Sequence, residues 1–226
     1  MAYILHIDTA TEVAQVGLAK DGQLIASATH AEQKDHAGFL QPALANLLGD
    51  AGISFSQLAA VAVIDGPGSY TGLRVGMASA KGLCYALQIP LITLGTLHLM
   101  AASGLDQIGE LSADALLCPM IDARRMEVFT AVFDKKMEII LPPTPLVLEE
   151  NSLADVFLNC PVFCFGSGSA KFEPICPPKV AFLPNFNILM SVFGQISFQL
   201  FENQQFSSTA YAEPAYNKAF FSTQKR

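Results

Sequence analysis

Charge is what this sequence has least of. Only 15% of its 226 residues are Asp, Glu, Lys or Arg, where roughly 25% is usual for a soluble protein. From His36 to Leu105, seventy residues carry four ionised side chains: Asp50, Asp65, Arg74 and Lys81. Such a stretch buries much of itself, in its own core or against another chain. Basic residues are scarcer than acidic ones, thirteen against twenty for a net charge of −7. That excludes a cationic footprint for phosphates, and with it a nucleic-acid binder acting alone. The terminal Lys218, Lys225 and Arg226 are too sparse to make one. Disorder is excluded as well, because 51% of the residues are hydrophobic.

Cysteine pairs are missing. Cys84, Cys118, Cys160, Cys164 and Cys176 are odd in number and include no C-x-x-C. Buried thiols in a reducing cytosol fit them better than a zinc site. The segment Met1–Asp8 lacks a basic n-region and meets a carboxylate early, so it does not read as a signal peptide. The 24 uncharged residues from Gly82 to Leu105 are interrupted by Gln88, Pro90, Gly95 and His98. They read as a helix end, a buried strand and a second helix start, not a membrane span. The expected location is the cytoplasm.

What is present has a repeating grammar. Ile4–Ile7 reads as a strand ending at Asp8. Val13–Ala19 and Leu24–Ala28 flank Asp21-Gly22, a strong hairpin signal. Phe39–Leu48 has helical spacing, with Leu40, Ala43, Leu44, Leu47 and Leu48 on one face. Leu58–Ile64 is a continuous apolar strand, followed by the turn Asp65–Ser69, a helix Tyr70–Leu87 and a strand Leu91–Leu94. The second half repeats the start: Leu116–Ile121 ends at Asp122, and Glu127–Phe133 and Met137–Leu141 flank Asp134-Lys135-Lys136. Val162–Phe165 then leads into Gly166-Ser167-Gly168, an echo of Gly66-Pro67-Gly68. Asn187–Phe201 reads as a further helix and the proline-rich Leu141–Pro145 as a loop. An internal duplication, with lobes 1–103 and 104–226, is the simplest account; a chance match of two strand–hairpin units is the alternative.

A strand-end carboxylate, a hairpin turn and a glycine turn opening a helix can together handle phosphate. Asp8, Thr9, Gly66, Gly68, Ser69 and Thr71 are the candidate residues, and Asp8 and Asp122 could share a hydrated Mg²⁺. The same residues also read as plain turn and N-cap chemistry, and the Walker pattern is absent. Gly72, Gly76 and Ala80, four apart, leave a stripe free of long side chains on the helix Tyr70–Leu87. Glycine inside a helix costs about 1 kcal/mol, so the stripe has a packing reason. It faces either the protein's own sheet or helix Phe39–Leu48, or else a helix of another chain, with Arg74 and Lys81 as neighbouring anchors. His6, His30, His36 and His98 show no ligand spacing, and no Ser/His/Asp or Cys/His set stands out.

Ile7-Asp8-Thr9-Ala10-Thr11, the stretch Asp65-Gly66-Pro67-Gly68-Ser69-Tyr70-Thr71-Gly72-Leu73-Arg74-Val75-Gly76, and Asp122-Ala123-Arg124-Arg125-x-Glu127-Val128 resemble the bacterial TsaB (YeaZ) family. Glu213-Pro214-x-Tyr216 extends the likeness weakly toward the end. The resemblance implies an α/β protein of two RNase H-like, actin-like lobes, each a mixed sheet with flanking helices. It implies a non-catalytic part in forming N6-threonylcarbamoyladenosine at position 37 of tRNA. The partner is then a TsaD-like catalytic paralogue, joined by a TsaE-like ATPase, with tRNA reached through the complex. The implied interface lies on first-lobe helices: Phe39, Leu40, Ala43 and Leu47 on one, and Gly72, Leu73, Arg74, Gly76, Met77 and Ala80 on the other. A homodimer through the same helices is also implied. No cofactor of its own is expected, with ATP or ADP at the partner interface. The paralogue's two metal-binding histidines fall, by alignment, on Thr96 and Met100, with only His98 near, so no catalytic or metal residues are expected here. Against this stands a stand-alone kinase or ATPase built on Asp8 and the glycine turn.

Overall fold

The computed structural model describes residues 1–31, 35–157 and 160–216; Lys218, Lys225 and Arg226 lie outside the described residues. Strands β1 (Tyr3–Asp8), β2 (Ala14–Lys20) and β3 (Gln23–His30) form an antiparallel meander. The β2–β3 turn has Asp21 and Gly22 at φ 49° and 80°, the left-handed pair that an Asp-Gly hairpin turn uses. Helix α1 (His36–Asp50) leads to β4 (Leu58–Gly66), and α2 (Tyr70–Leu87) leads to β5 (Leu91–Gly95). Both strands run parallel to β1, in the order β3-β2-β1-β4-β5. Helix α3 (Thr96–Ile108) carries the chain across to the second lobe. There β6 (Leu116–Asp122), β7 (Glu127–Asp134), β8 (Ile139–Val147), α4 (Ala154–Phe157), β9 (Val162–Phe165), α5 (Ser169–Phe172) and β10 (Val180–Phe182) follow, before α6 (Met190–Glu202). The second sheet reads β8-β7-β6-β9-β10, with the same antiparallel and parallel neighbours as the first. One strand order used twice is the signature of duplicated RNase H-like lobes.

Alternation along the strands sets the layers. Leu5, Ile7, Val61 and Val63 pack with Leu40, Leu44 and Leu48 of α1 and with Met77, Ala80 and Cys84 of α2. Ile4, Ala60, Ala62 and Ile64 turn the other way, into a cluster shared with Leu97 and Met100 of α3, Phe193 of α6, and Leu117, Phe133 and Phe165 of the second sheet. The outer face of that sheet is closed by Phe157 and Phe172 of the short α4 and α5.

Packing does not follow the division at 103/104. Helix α6 lies on β1, β2, β3 and β5 of the first sheet, where His6 Nε2 and Ser197 Oγ stand 2.6 Å apart. Ser197 donates to the Gly194 carbonyl at 3.0 Å, which leaves His6 as the donor to Ser197. This buried Ser–His contact pins helix to sheet. The proline-rich Leu141–Pro145, expected as a loop, is instead the middle of β8, with Thr144 opposite Thr130 and Pro145 opposite Phe129. An edge strand does not need every N–H, so prolines are tolerated there and blunt the edge. The helix expected from Asn187 starts at Met190. Before it, the Asn187 and Leu189 amides donate to Gln107 Oε1 and Ser103 Oγ of α3.

After α6 the chain returns to the first lobe as a strap. Ser207 N donates to Leu91 O at 2.8 Å, which covers the free edge of β5. Lys81 Nζ donates to the carbonyls of Ala210 (3.2 Å) and Ala212 (2.9 Å). Ala215 N donates to Asp65 O at 2.7 Å, and Arg74 Nε donates to Tyr216 Oη at 2.8 Å. Arg74 and Lys81, read as anchors for another chain, are thus held by this chain's own C-terminal segment. Lys81→Met is expected to cost about 1 kcal/mol and to speed hydrogen exchange selectively in residues 207–216. Unchanged exchange there would show that the strap is held without Lys81.

Candidate functional site

Asp8 closes β1 with no solvent exposure. Its Oδ1 accepts from Ala10 N at 2.9 Å, and its buried Oδ2 has no hydrogen-bond partner among the described residues. Burial pushes the carboxyl up to about 6, against the opposing pull of the Ala10 amide. The glycine turn lies directly over this strand end. Ser69 N donates to Ala10 O at 2.7 Å, and Thr9 Oγ1 donates to Gly72 O at 2.7 Å. A Cβ on Gly68 would strike the Ala10 carbonyl, on Gly72 the Thr9 carbonyl, and on Gly76 the Thr9 hydroxyl. Small residues are therefore required where α2 crosses residues 8–10. Gly66 adopts φ +127°, and the Ala215 carbonyl sits against it.

Three amides at the start of α2 and just before it are bonded inside the fold. Ser69 N serves Ala10, Gly72 N serves Ser69 Oγ at 3.3 Å, and Leu73 N serves Ser69 O at 2.8 Å. Of the six phosphate candidates, Asp8, Thr9 and Gly66 are buried beneath the surface. Gly68, Ser69 and Thr71 line an interlobe cavity of about 360 Å³, together with Thr11, Tyr70, Asp122 and Arg124. A larger cleft of about 930 Å³ adjoins it, sharing Thr11, Glu12, Ile121 and Ser167, with Met100, Phe186 and Ile188 among its walls.

The duplicated carboxylates have different fates. Asp122 is exposed and pairs with Lys171 Nζ at 2.7 Å. Its partial burial raises the carboxyl's pKa, but the Lys171 hydrogen bond and charge, with the Arg124 amide, outweigh that and hold it below the ordinary range. Among the described residues no three His, Cys, Asp or Glu side chains are grouped as a metal ion requires. Thr96 is buried, and its hydroxyl donates to Pro67 O at 2.7 Å. Met100 is buried in the core, while His98 packs edge-on against Phe133 at 5.7 Å with its pKa lowered by burial.

The expected partner stripe faces inward. Gly72, Leu73, Gly76, Met77 and Ala80 of α2 are buried, as are Leu40, Ala43 and Leu47 of α1; Phe39 is half-buried and stacked on His30 at 5.0 Å. Only Arg74 of that set is exposed. Spacing identifies a stripe of small residues but not the side it faces, and the crossing over residues 8–10 claims this one. A second stripe points outward: Thr71, Arg74, Ala78, Gly82 and Tyr85 are exposed, with nothing within 4 Å of a Cβ built on Gly82. Beside it α1 exposes Ala37, Gly38, Gln41, Pro42, Ala45 and Asn46. Gln41 Nε2 ties the two helices by donating to Ser79 Oγ at 2.8 Å. Ala78 and Gly82, four apart, were open to the same spacing argument that picked Gly72 and Gly76. Lys171 and Ser197 had no sequence signal, since each depends on a contact across many residues.

This geometry has relatives. The family model for TsaD, tRNA N6-adenosine threonylcarbamoyltransferase, matches residues 23–144, just over half of the chain. The tRNA threonylcarbamoyladenosine biosynthesis protein TsaB of Bacillus subtilis is 33% identical over 65% of this chain and 63% of its own length. TsaB of Escherichia coli is 37% identical over 58% of this chain and 55% of its own. The chain thus covers less than two thirds of either relative. The solved structure of YeaZ from Pseudomonas aeruginosa superposes with a TM-score of 0.78 at 25% identity, over 96% of this chain and 100% of that one. The chain belongs to the TsaD family, and within it stands with the TsaB (YeaZ) proteins.

Proposed function

We propose that this chain is a non-catalytic subunit of the complex that forms N6-threonylcarbamoyladenosine at position 37 of tRNA. It binds and positions a TsaD-like catalytic paralogue through the outward faces of α1 and α2. The observation that carries this reading is the contiguous outward surface of Ala37, Gln41, Pro42, Ala45, Ala78 and Gly82, small and nearly free of charge. A helix of another chain can approach such a surface closely without desolvating many charges. ATP or ADP belongs at the shared interface. A TsaE-like ATPase joins the assembly, tRNA is reached through it, and the setting is the cytoplasm. Without the paralogue, the same faces pair two copies of the chain.

Co-expression with the organism's TsaD-like protein tests the reading, with size-exclusion chromatography as the measurement. One co-eluting peak is expected at micromolar concentration; two separate peaks would refute it. Ala78→Arg should lower affinity at least about tenfold while leaving thermal unfolding unchanged. Depletion of the chain should lower the modified nucleoside in bulk tRNA.

A further inference from the structure

Arg74 is the one fully exposed charge on the outward line of α2. Its guanidinium carbon lies 4.0 Å from the centroid of the Tyr70 ring and 5.6 Å from that of Tyr216. The two rings are 5.0 Å apart, and Tyr216 Oη accepts from Arg74 Nε at 2.8 Å. Tyr216 reaches this place because the strap is fastened just before it, by Ala215 N on Asp65 O. A long, mobile side chain is thereby held in one orientation at the surface. An arginine carries five N–H donors in one plane, more than its hydrogen bonds to Tyr216 and Tyr70 require.

Among the described residues no carboxylate forms a salt bridge with Arg74. Asp65, near in sequence, keeps its carboxyl half-buried, where the Thr93 side chain bonds it. Covering α2 with a partner strips water from the guanidinium. Aromatic faces attract a cation but do not neutralise it, and an unpaired charge in an interface is strongly unfavourable. The counter-charge must come from the other side.

We propose that Arg74 is the receptor for a carboxylate on the TsaD-like partner, with Tyr70 and Tyr216 as positioning residues. The C-terminal strap is then part of the docking surface. This inference rests on the docking reading above. The test is calorimetric titration of the purified chain with the organism's TsaD-like protein, first without nucleotide and then with ADP or ATP, between about 50 and about 500 mM salt. Arg74→Ala should weaken binding by about 30-fold or more and flatten the salt dependence. Arg74→Lys should fall between, keeping the charge but losing the planar fork. Tyr216→Phe should cost a few-fold, and nothing further once Arg74 is alanine. If the wild-type chain does not bind, the docking reading fails. If it binds and Arg74→Ala binds as tightly with the same salt slope, only this inference fails. A loss seen solely with ADP or ATP present would make the anion a phosphate and would also overturn it.

Discussion

Gly72→Ala is expected to lower the stability of the isolated chain by about 3 kcal/mol or more, or to prevent folding, because overpacking against backbone has no cheap relief. The added methyl would meet the carbonyl of Thr9. That carbonyl lies between Asp8, which ends β1, and Ala10, whose amide and carbonyl are both bonded. Neither side can move without breaking the contact between strand end and helix. Gly82→Ala is the matched control. It lies on the same helix with nothing within 4 Å, and it should gain up to about 1 kcal/mol from helix propensity. Urea denaturation of both variants measures the contrast. Equal effects would mean that the two stripes on α2 are not inner and outer.

Asp8→Asn is expected to lose roughly 3 kcal/mol relative to wild type between pH 6.5 and pH 4. Two fully buried groups on β1 oppose each other in this window. Asp8 is raised from 3.8 to about 6 by burial, so on acidification the folded state takes up its proton before the unfolded state does. Stability from Asp8 therefore rises as pH falls from about 6 to about 4. His6 is lowered from 6.5 to about 4, chiefly by burial, with the Gly17 backbone opposing. Here the unfolded state binds the proton first, so stability falls as pH drops through the same range. Each displacement corresponds to roughly 3 kcal/mol, and in the wild-type chain the two nearly cancel. Removing Asp8 leaves the destabilising histidine, whereas His6→Gln leaves the stabilising carboxyl and should gain on acidification. Urea denaturation at several pH values reads the slopes, and comparing slopes cancels any pH-independent effect of the substituted amide. Parallel profiles for all three proteins would show that these groups do not titrate as buried residues.

Much of the fold was legible because local rules governed it. Asp21-Gly22 needs left-handed dihedrals, and the apolar run Leu58–Ile64 demands cover on both faces, so hairpin and central strand could be read directly. The repeat was legible through Asp8 and Asp122, each at the end of an apolar strand before a hairpin. The burial of those two carboxylates was not. Asp8 lies under α2, whereas Asp122 meets Lys171 in solvent, and neither contact is local in sequence. Pro142, Pro143 and Pro145 misled for the same reason, since whether a strand stands at a sheet edge is a property of the sheet.

By itself the sequence determined the strand–hairpin grammar, its recurrence in the second half, and the presence on α2 of residues small enough for close approach. It also carried the charge deficit between His36 and Leu105. Only the tertiary structure decided which side of α2 is covered by its own β1 end, which sheet α6 caps, and what holds Arg74 and Lys81. Periodicity places residues on faces of an element. It does not choose among partners for those faces, because that choice rests on contacts between segments distant in the chain.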